Sequence, residues 1–337
     1  MTASDLRQYD RDGIVAALIS ATLLGLAPIF GKQALQAGID YRVLVTIRTV
    51  SAALILWLFF LVFWRKYLFI YPVGLTACAT AGIINGLGSV FYYSGLNKLD
   101  ASLAQLIYSI NPLILILLLR LDGQPVSRLT VLRLLLALPA IYVLTTGGDY
   151  HEARLKGVVY MLVGGLGYAL HLAIIQRPLR DMPPPTVTLY SLTAMAFTVA
   201  PVGIWALWAR PQPQLIPDSA WVGLAGLTIV TAISRLSLFV GVKKLGGLQA
   251  ALLGLSELIV SVFTALVFFG ERLSFQQWAG AAALALSIGL VSRERDISGH
   301  YMSYGWLAWM YALLERVTPQ PKSPEPAKVK KVITEEK

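Results

Sequence analysis

Long apolar stretches alternate with short polar gaps along this chain. Apolar runs lie near 13–38, 43–63, 71–96, 101–119, 129–146, 157–176, 186–208, 219–242, 248–269 and 275–291. Most approach the roughly 20 residues needed to cross about 30 Å of hydrocarbon. A segment that spans lipid is a helix, because its backbone N–H and C=O groups must be satisfied within the segment. The shorter runs, met singly, would suit buried helices of a soluble protein. Ten in succession predict an all-α polytopic membrane protein.

The pattern also repeats itself. SGLNKLDASLAQLIYSINPLILILLL is followed, about 146 residues later, by VGVKKLGGLQAALLGLSELIVSVFTALV. At that offset Gly95 meets Gly241, Lys98 meets Lys244, Leu99 meets Leu245, Ala104 meets Ala250, and Asn111 falls opposite Glu257. One inserted residue later, Gly123-Gln124-Pro125-Val126-Ser127 faces Gly270-Glu271-Arg272-Leu273-Ser274. Five helices per half is an odd number, so the halves are expected to run in opposite directions as two inverted five-helix repeats. Many transporters place one midplane site between two such halves.

Composition agrees: the chain is 56% hydrophobic and 14% charged, against about 25% charged in soluble domains, with a mean hydropathy of +0.66. The net charge of +10 reads as topology. With the N-terminus in the cytoplasm, inner loops hold Arg7, Arg11, Arg65, Lys66, Arg120, Arg128, Arg133, Arg177, Arg180, Lys243 and Lys244. Outer loops hold only Arg42, Lys98, Arg154, Lys156, Arg210 and Arg272. The positive-inside rule then puts both termini in the cytoplasm of a cell (inner) membrane. No folded basic domain is present, so nucleic acid is not an expected partner.

The expected divisions are a cytoplasmic N-terminus (1–12), a first repeat (13–146), a second repeat (155–292) and a cytoplasmic tail (293–337). Within the tail, 300–317 reads as an interfacial amphipathic helix rich in Trp and Met, with a disordered end. The first run is too long for a signal-peptide core and lacks a positive flank, so no cleaved leader is expected. A lone Cys78 excludes an intrachain disulfide and reads as an apolar filler.

The order of these segments resembles the EamA-like family of the drug/metabolite transporter superfamily. The residues carrying the resemblance are SELIVSVFTALVFFGERLSFQQWAGAAALALSIGLV, its first-half counterpart SINPLILILLLRLDGQPVS, the second-helix TIRTVSAALIL, and GVVYMLVGGLGYALHLAI. It covers roughly 13–292. The resemblance implies ten helices in two inverted repeats that move small metabolites by alternating access. Gln124 stands where the family usually has glutamate, Leu258 replaces a proline, and Pro139 and Arg235 are further departures.

Charges at membrane depth cost about 2.5–3.5 kcal/mol each on insertion scales and default to functional candidates. Glu257 lies well inside the ninth run, and Arg235 lies at a similar depth on the eighth. The pair reads either as a proton or cation site tuned by Arg235, or as a structural ion pair. Asn111 reaches the midplane of the fourth run beside Pro112, which removes a backbone donor. Lys32 and Arg48 lie near the outer ends of the first two runs, where such side chains can snorkel. The resemblance implies basic residues at both places, at the outer mouth or ordering the bundle. Tyr168 and His171 on the sixth run, and Asn85, Tyr92 and Tyr93 on the third, can line a cavity or simply pack between helices.

Only three histidines and one cysteine are present, and no metal cluster, phosphate loop or nucleophile–base pair is evident, so neither an enzyme nor a metal or other cofactor is expected. The expectation is a secondary active transporter of small organic metabolites, an exporter by resemblance, with amino acids or related compounds as first candidates. An organic-anion or nucleotide-linked metabolite exchanger is the rival within transport. A non-transporting membrane scaffold or sensor is the rival from another class. Expected partners are the small-molecule substrate and membrane lipids, with a proton as candidate coupling ion and a homodimer left open.

Overall fold

The computed structural model describes residues 3–121, 152–176, 178–209, 218–254, 256–271 and 274–289. Among these residues the regular structure is entirely helical. The chain runs α1 (Ala3–Gln36), α2 (Tyr41–Phe63), a 3₁₀ turn (Arg65–Tyr67), α3 (Pro72–Leu96), α4 (Ala101–Tyr108) and α5 (Asn111–Leu121). It continues with α6 (Glu152–Ile175), α7 (Pro178–Asp181), α8 (Pro184–Trp208), α9 (Asp218–Leu245), α10 (Gly247–Leu253), α11 (Ser256–Phe269) and α12 (Phe275–Gly289). Seven described segments are long and apolar enough to cross a membrane: Arg11–Gln36, Tyr41–Phe63, Pro72–Leu96, Ala101–Leu121, Leu155–Ile175, Pro184–Trp208 and Asp218–Leu245. The expected fifth run (129–146) and the tail helix (300–317) lie outside the described residues, as does Gln124.

Apolar side chains face two ways, as expected of helices with lipid on one side. Leu54, Leu58, Phe197, Trp205, Trp208 and Phe263 are exposed, while Leu44, Phe60, Leu106, Leu113 and Phe239 are buried between helices. The N-terminus of α2 is satisfied locally. Asp40 caps α2 by accepting from the Arg42 N–H at 2.8 Å, and its carboxylate also pairs with the Arg42 guanidinium at 2.9 Å.

Small residues let the helices approach. A Cβ on Gly88 of α3 would lie 3.2 Å from the Gly167 Cα of α6, and one on Gly164 would lie 3.1 Å from the Gly88 carbonyl oxygen. The GGLG stretch thus acts as a contact face between α3 and α6, as small residues do in membrane helix pairs.

Contacts at the helix ends give the relative directions. Asp12, early in α1, pairs with Lys244 at the end of α9 at 2.8 Å. At the other end of the bundle, Gly157 near the start of α6 packs against Lys98 and Leu99, just past the end of α3. Lys32, near the end of α1, donates to the Leu96 and Leu99 carbonyls at 3.1 and 2.6 Å. So α1 ends where α6 begins, and the first helices of the two sequence repeats run in opposite senses.

Two of the expected continuous helices are broken. The run at 101–119 divides into α4 and α5 around Ser109–Ile110, and the run at 248–269 divides into α10 and α11 after Gly254. The breaks fall at repeat-equivalent places, one residue before Asn111 and two residues before Glu257. Pro112 has no N–H to give, and the chain closes the gap with tight i→i−3 bonds: Ile110 N–H to the Ile107 carbonyl at 3.3 Å, Leu113 N–H to Ile110 at 2.9 Å. Side chains finish the turn, with Asn111 Nδ2 donating to the Tyr108 carbonyl at 3.1 Å. In the second half, Glu257 N–H reaches the Gly254 carbonyl at 2.9 Å and Ser256 Oγ donates to Leu253 at 2.8 Å.

Candidate functional site

Both breaks face the same interior space. One cavity is lined by Ser20, Gln105, Asn111, Tyr168, Gly254 and Glu257 among others. A second is lined by Arg48, Asn85, Tyr92, Tyr93, Arg235 and Glu257 among others. Leu24 and Glu257 line both, so the two spaces adjoin at Glu257. Leu24 also precedes Pro28 by one turn of α1, and Pro28 withholds the donor that would have served the Leu24 carbonyl.

Glu257 does not pair with Arg235. Its Oε1 accepts from Gln105 Nε2 at 2.6 Å, and the Gln105 amide oxygen accepts from Tyr92 Oη at 3.2 Å. The chain Tyr92–Gln105–Glu257 therefore runs from α3 through α4 to α11, joining the two halves. Arg235 instead sets its guanidinium carbon 5.3 Å above the Tyr168 ring, and Arg48 sits 4.6 Å above the Tyr93 ring. Each such contact is worth about 0.5–2 kcal/mol and leaves the hydrogen-bonding edge of the guanidinium unused. Arg48 spends one donor on Thr231 Oγ1 at 3.1 Å. Its Nε, and Nη1 of Arg235, are buried with no hydrogen-bond partner.

The remaining candidates divide by location. Asn85 lines the arginine cavity and donates to the Met195 sulfur at 3.5 Å. Tyr108 lines the arginine cavity, its ring 4.7 Å from that of Tyr92 and 5.7 Å from that of Tyr168. His171 lies behind Tyr168, between that ring and Phe239. Its Nδ1 is 3.0 Å from the Ala81 carbonyl, which requires the proton on Nδ1, and its Nε2 has no partner. Lys32 lines neither cavity and binds the carbonyls of Leu96, at the end of α3, and Leu99, just before α4.

A family model described as the EamA-like transporter family matches residues 11–146 and, a second time, 155–293. The chain belongs to the EamA-like transporter family. Two relatives carry the same general description. An "uncharacterized transporter" of Archaeoglobus fulgidus is 25% identical over 213 residues, 63% of this chain and 74% of its own length. The "uncharacterized transporter YcbK" of Bacillus subtilis is 24% identical over 284 residues, 81% of this chain and 90% of its own. A solved structure, titled only as the crystal structure of a protein, superposes over 83% of this chain and 96% of its own with a TM-score of 0.60 at 15% identity, which shows a shared fold. Together with the spanning helices, family membership makes this EamA-like protein a multi-pass membrane transporter.

Some residues of the site escape a reading of the sequence alone. Gln105 and Thr231 hold the ionisable groups in place, yet each is one of several uncharged polar residues in its apolar run. Gln105 offers one signal, since its repeat equivalent is Ala251, and a polar residue on one side of a repeat marks asymmetry. Glu271 of the Gly-Glu-Arg-Leu junction is the other. Its carboxylate accepts from the Ala101 and Ser102 N–H groups, both at 2.9 Å, and from Ser102 Oγ. It thereby caps α4 from the opposite half of the chain.

Proposed function

We propose that this EamA-like protein is a secondary active transporter that moves small organic metabolites by alternating access around the space between α4–α5 and α10–α11. The observation that carries this reading is the pair of repeat-equivalent helix breaks facing one interior space, with Glu257 shared by both cavities. A broken helix moves in halves more readily than a continuous one, and its loose ends can meet solute at membrane depth. Ten membrane helices in two inverted five-helix repeats complete the architecture in this reading. The opposed directions of α1 and α6 support it. The charge distribution supports residence in the cell membrane with both termini in the cytoplasm.

Glu257, Asn111 and Tyr168 meet the solute on one side of the space, and Arg48, Arg235, Asn85 and Tyr93 on the other. Lys32 and His171 act as packing and capping residues. Glu257 is the group to carry a coupling proton, being the carboxylate shared by both cavities. The test is flux from proteoliposomes preloaded with a mixture of organic acids, amino acids and amines, read by mass spectrometry against protein-free vesicles. Protein-dependent release of at least one compound supports transport, and release equal to that of empty vesicles contradicts it.

A further inference from the structure

The two arginines of the cavity are short of negative charge. Arg48 and Arg235 are 6% and 9% exposed, so both are more than nine-tenths buried, and both line the same cavity. Neither forms a salt bridge with Glu257, whose carboxylate is engaged by Gln105. Among the described residues lining either cavity, these three are the charged ones. With Glu257 ionised the cavity carries one net positive charge, and with Glu257 protonated it carries two. Either way it is positive, and a buried charge without compensation is costly.

The arginines are also posed for a ligand rather than for each other. Each guanidinium rests on a tyrosine face, which holds it by a contact that consumes no N–H. Each keeps a buried nitrogen with no partner, Nε of Arg48 and Nη1 of Arg235. Guanidinium forks match planar carboxylates by paired N–H···O bonds, and a lysine would not offer that fit. The tyrosine rings beside them suit an organic body better than a bare inorganic ion.

We infer that Arg48 and Arg235 form the binding site for the carboxylate of a small organic substrate whose net charge is negative. The inference rests on the transport reading above and narrows it. Neutral zwitterions leave the cavity with its excess positive charge, and amines add to it. Keto acids, hydroxy acids, aryl carboxylates and acidic amino acids offset it, a monoanion fully so when Glu257 is ionised. In this arrangement Asn85 flanks the carboxylate, and Glu257 with Gln105 faces the other end of the molecule.

The experiment uses the purified full-length protein and probes that share one body, 3-phenylpropionate, phenylalanine and 2-phenylethylamine, with acetate as a minimal carboxylate. Melting is followed at constant ionic strength, with sodium chloride as the reference. Acetate and 3-phenylpropionate should raise the melting temperature and the amine should not, since a ligand that binds the folded state stabilises it by mass action. In Arg48→Gln and Arg235→Gln the same stabilisation should need about ten- to a hundredfold more carboxylate. If a glutamine variant fails to fold, Arg48→Lys and Arg235→Lys keep the charge, lose the fork and should still weaken binding. No carboxylate shift beyond chloride, a larger shift with the amine, or equal affinity in the variants would overturn the proposal. The preloaded-vesicle assay separates the two readings. Release of amines or neutral compounds alone overturns the carboxylate site and leaves transport standing, whereas no release of any compound overturns transport itself.

Discussion

Glu271 offers the sharpest structural prediction, because one carboxylate makes three hydrogen bonds to the first turn of a helix in the other half of the chain. It accepts from Ala101 N–H and Ser102 N–H, each at 2.9 Å, and from the Ser102 hydroxyl. Glu271→Ala leaves two N–H donors of α4 without a partner. Losing an N-cap costs about 0.5–2 kcal/mol, and hydrogen bonds to a charged group run about 1.5–3 kcal/mol. The site is only partly buried, so water recovers some of the loss, and about 2–3 kcal/mol remains for the local structure. At 1.4 kcal/mol per tenfold, that is roughly a 30- to 140-fold rise in local opening. Hydrogen exchange of the full-length protein in detergent, resolved to the peptide containing Ala101 and Ser102, reads this directly. Glu271→Gln keeps one acceptor oxygen and should lose about 1 kcal/mol. Unchanged exchange at these two amides in Glu271→Ala would refute the capping role and the coupling of the halves through it.

Glu257→Gln should fold normally, because an amide oxygen can still accept from Gln105 and the mutation breaks no salt bridge. The expected destabilisation is under about 1 kcal/mol, against roughly 3–5 kcal/mol for breaking a buried ion pair, while flux is lost or uncoupled from the proton gradient. Unfolding on that larger scale, or normal coupled flux, would count against the role given to Glu257. Single-cysteine labelling in a Cys78→Ala background should reach position 150 from the outside of intact cells and both termini only after permeabilisation. Labelling of position 150 only after permeabilisation would contradict the inverted arrangement.

Seven spanning helices were legible from the apolar runs, since length and hydropathy are local properties. The breaks were less so. Pro112 signals a missing donor, but Gly254 and Ser256 are ordinary in a membrane helix, and a single break could have been a simple kink. Only the repeat alignment, which sets Asn111 opposite Glu257, ties the two together. Depth along the helices also placed Glu257 and Arg235 level, and the structure puts both on one cavity. Depth alone left open whether the two pair, because that depends on which way each side chain turns. Gln105 engages Glu257 and Tyr168 supports Arg235, and neither competitor is visible from the spacing of charges. Lys32 illustrates the same limit. Its place near the end of α1 was clear, but the carbonyls it serves belong to Leu96 and Leu99, more than sixty residues away in sequence.

Alternating exposure of the broken-helix cavity is the central claim, and Ser109 reports on it. Ser109 is buried, lies in the turn between α4 and α5, and lines the cavity that contains Asn111 and Glu257. With Cys78→Ala as background, Ser109→Cys in oriented proteoliposomes should react with a small membrane-impermeant thiol reagent applied to either face. Adding 3-phenylpropionate should slow the reaction. Reaction from one face only under every condition, or from neither, would contradict alternating access around this site.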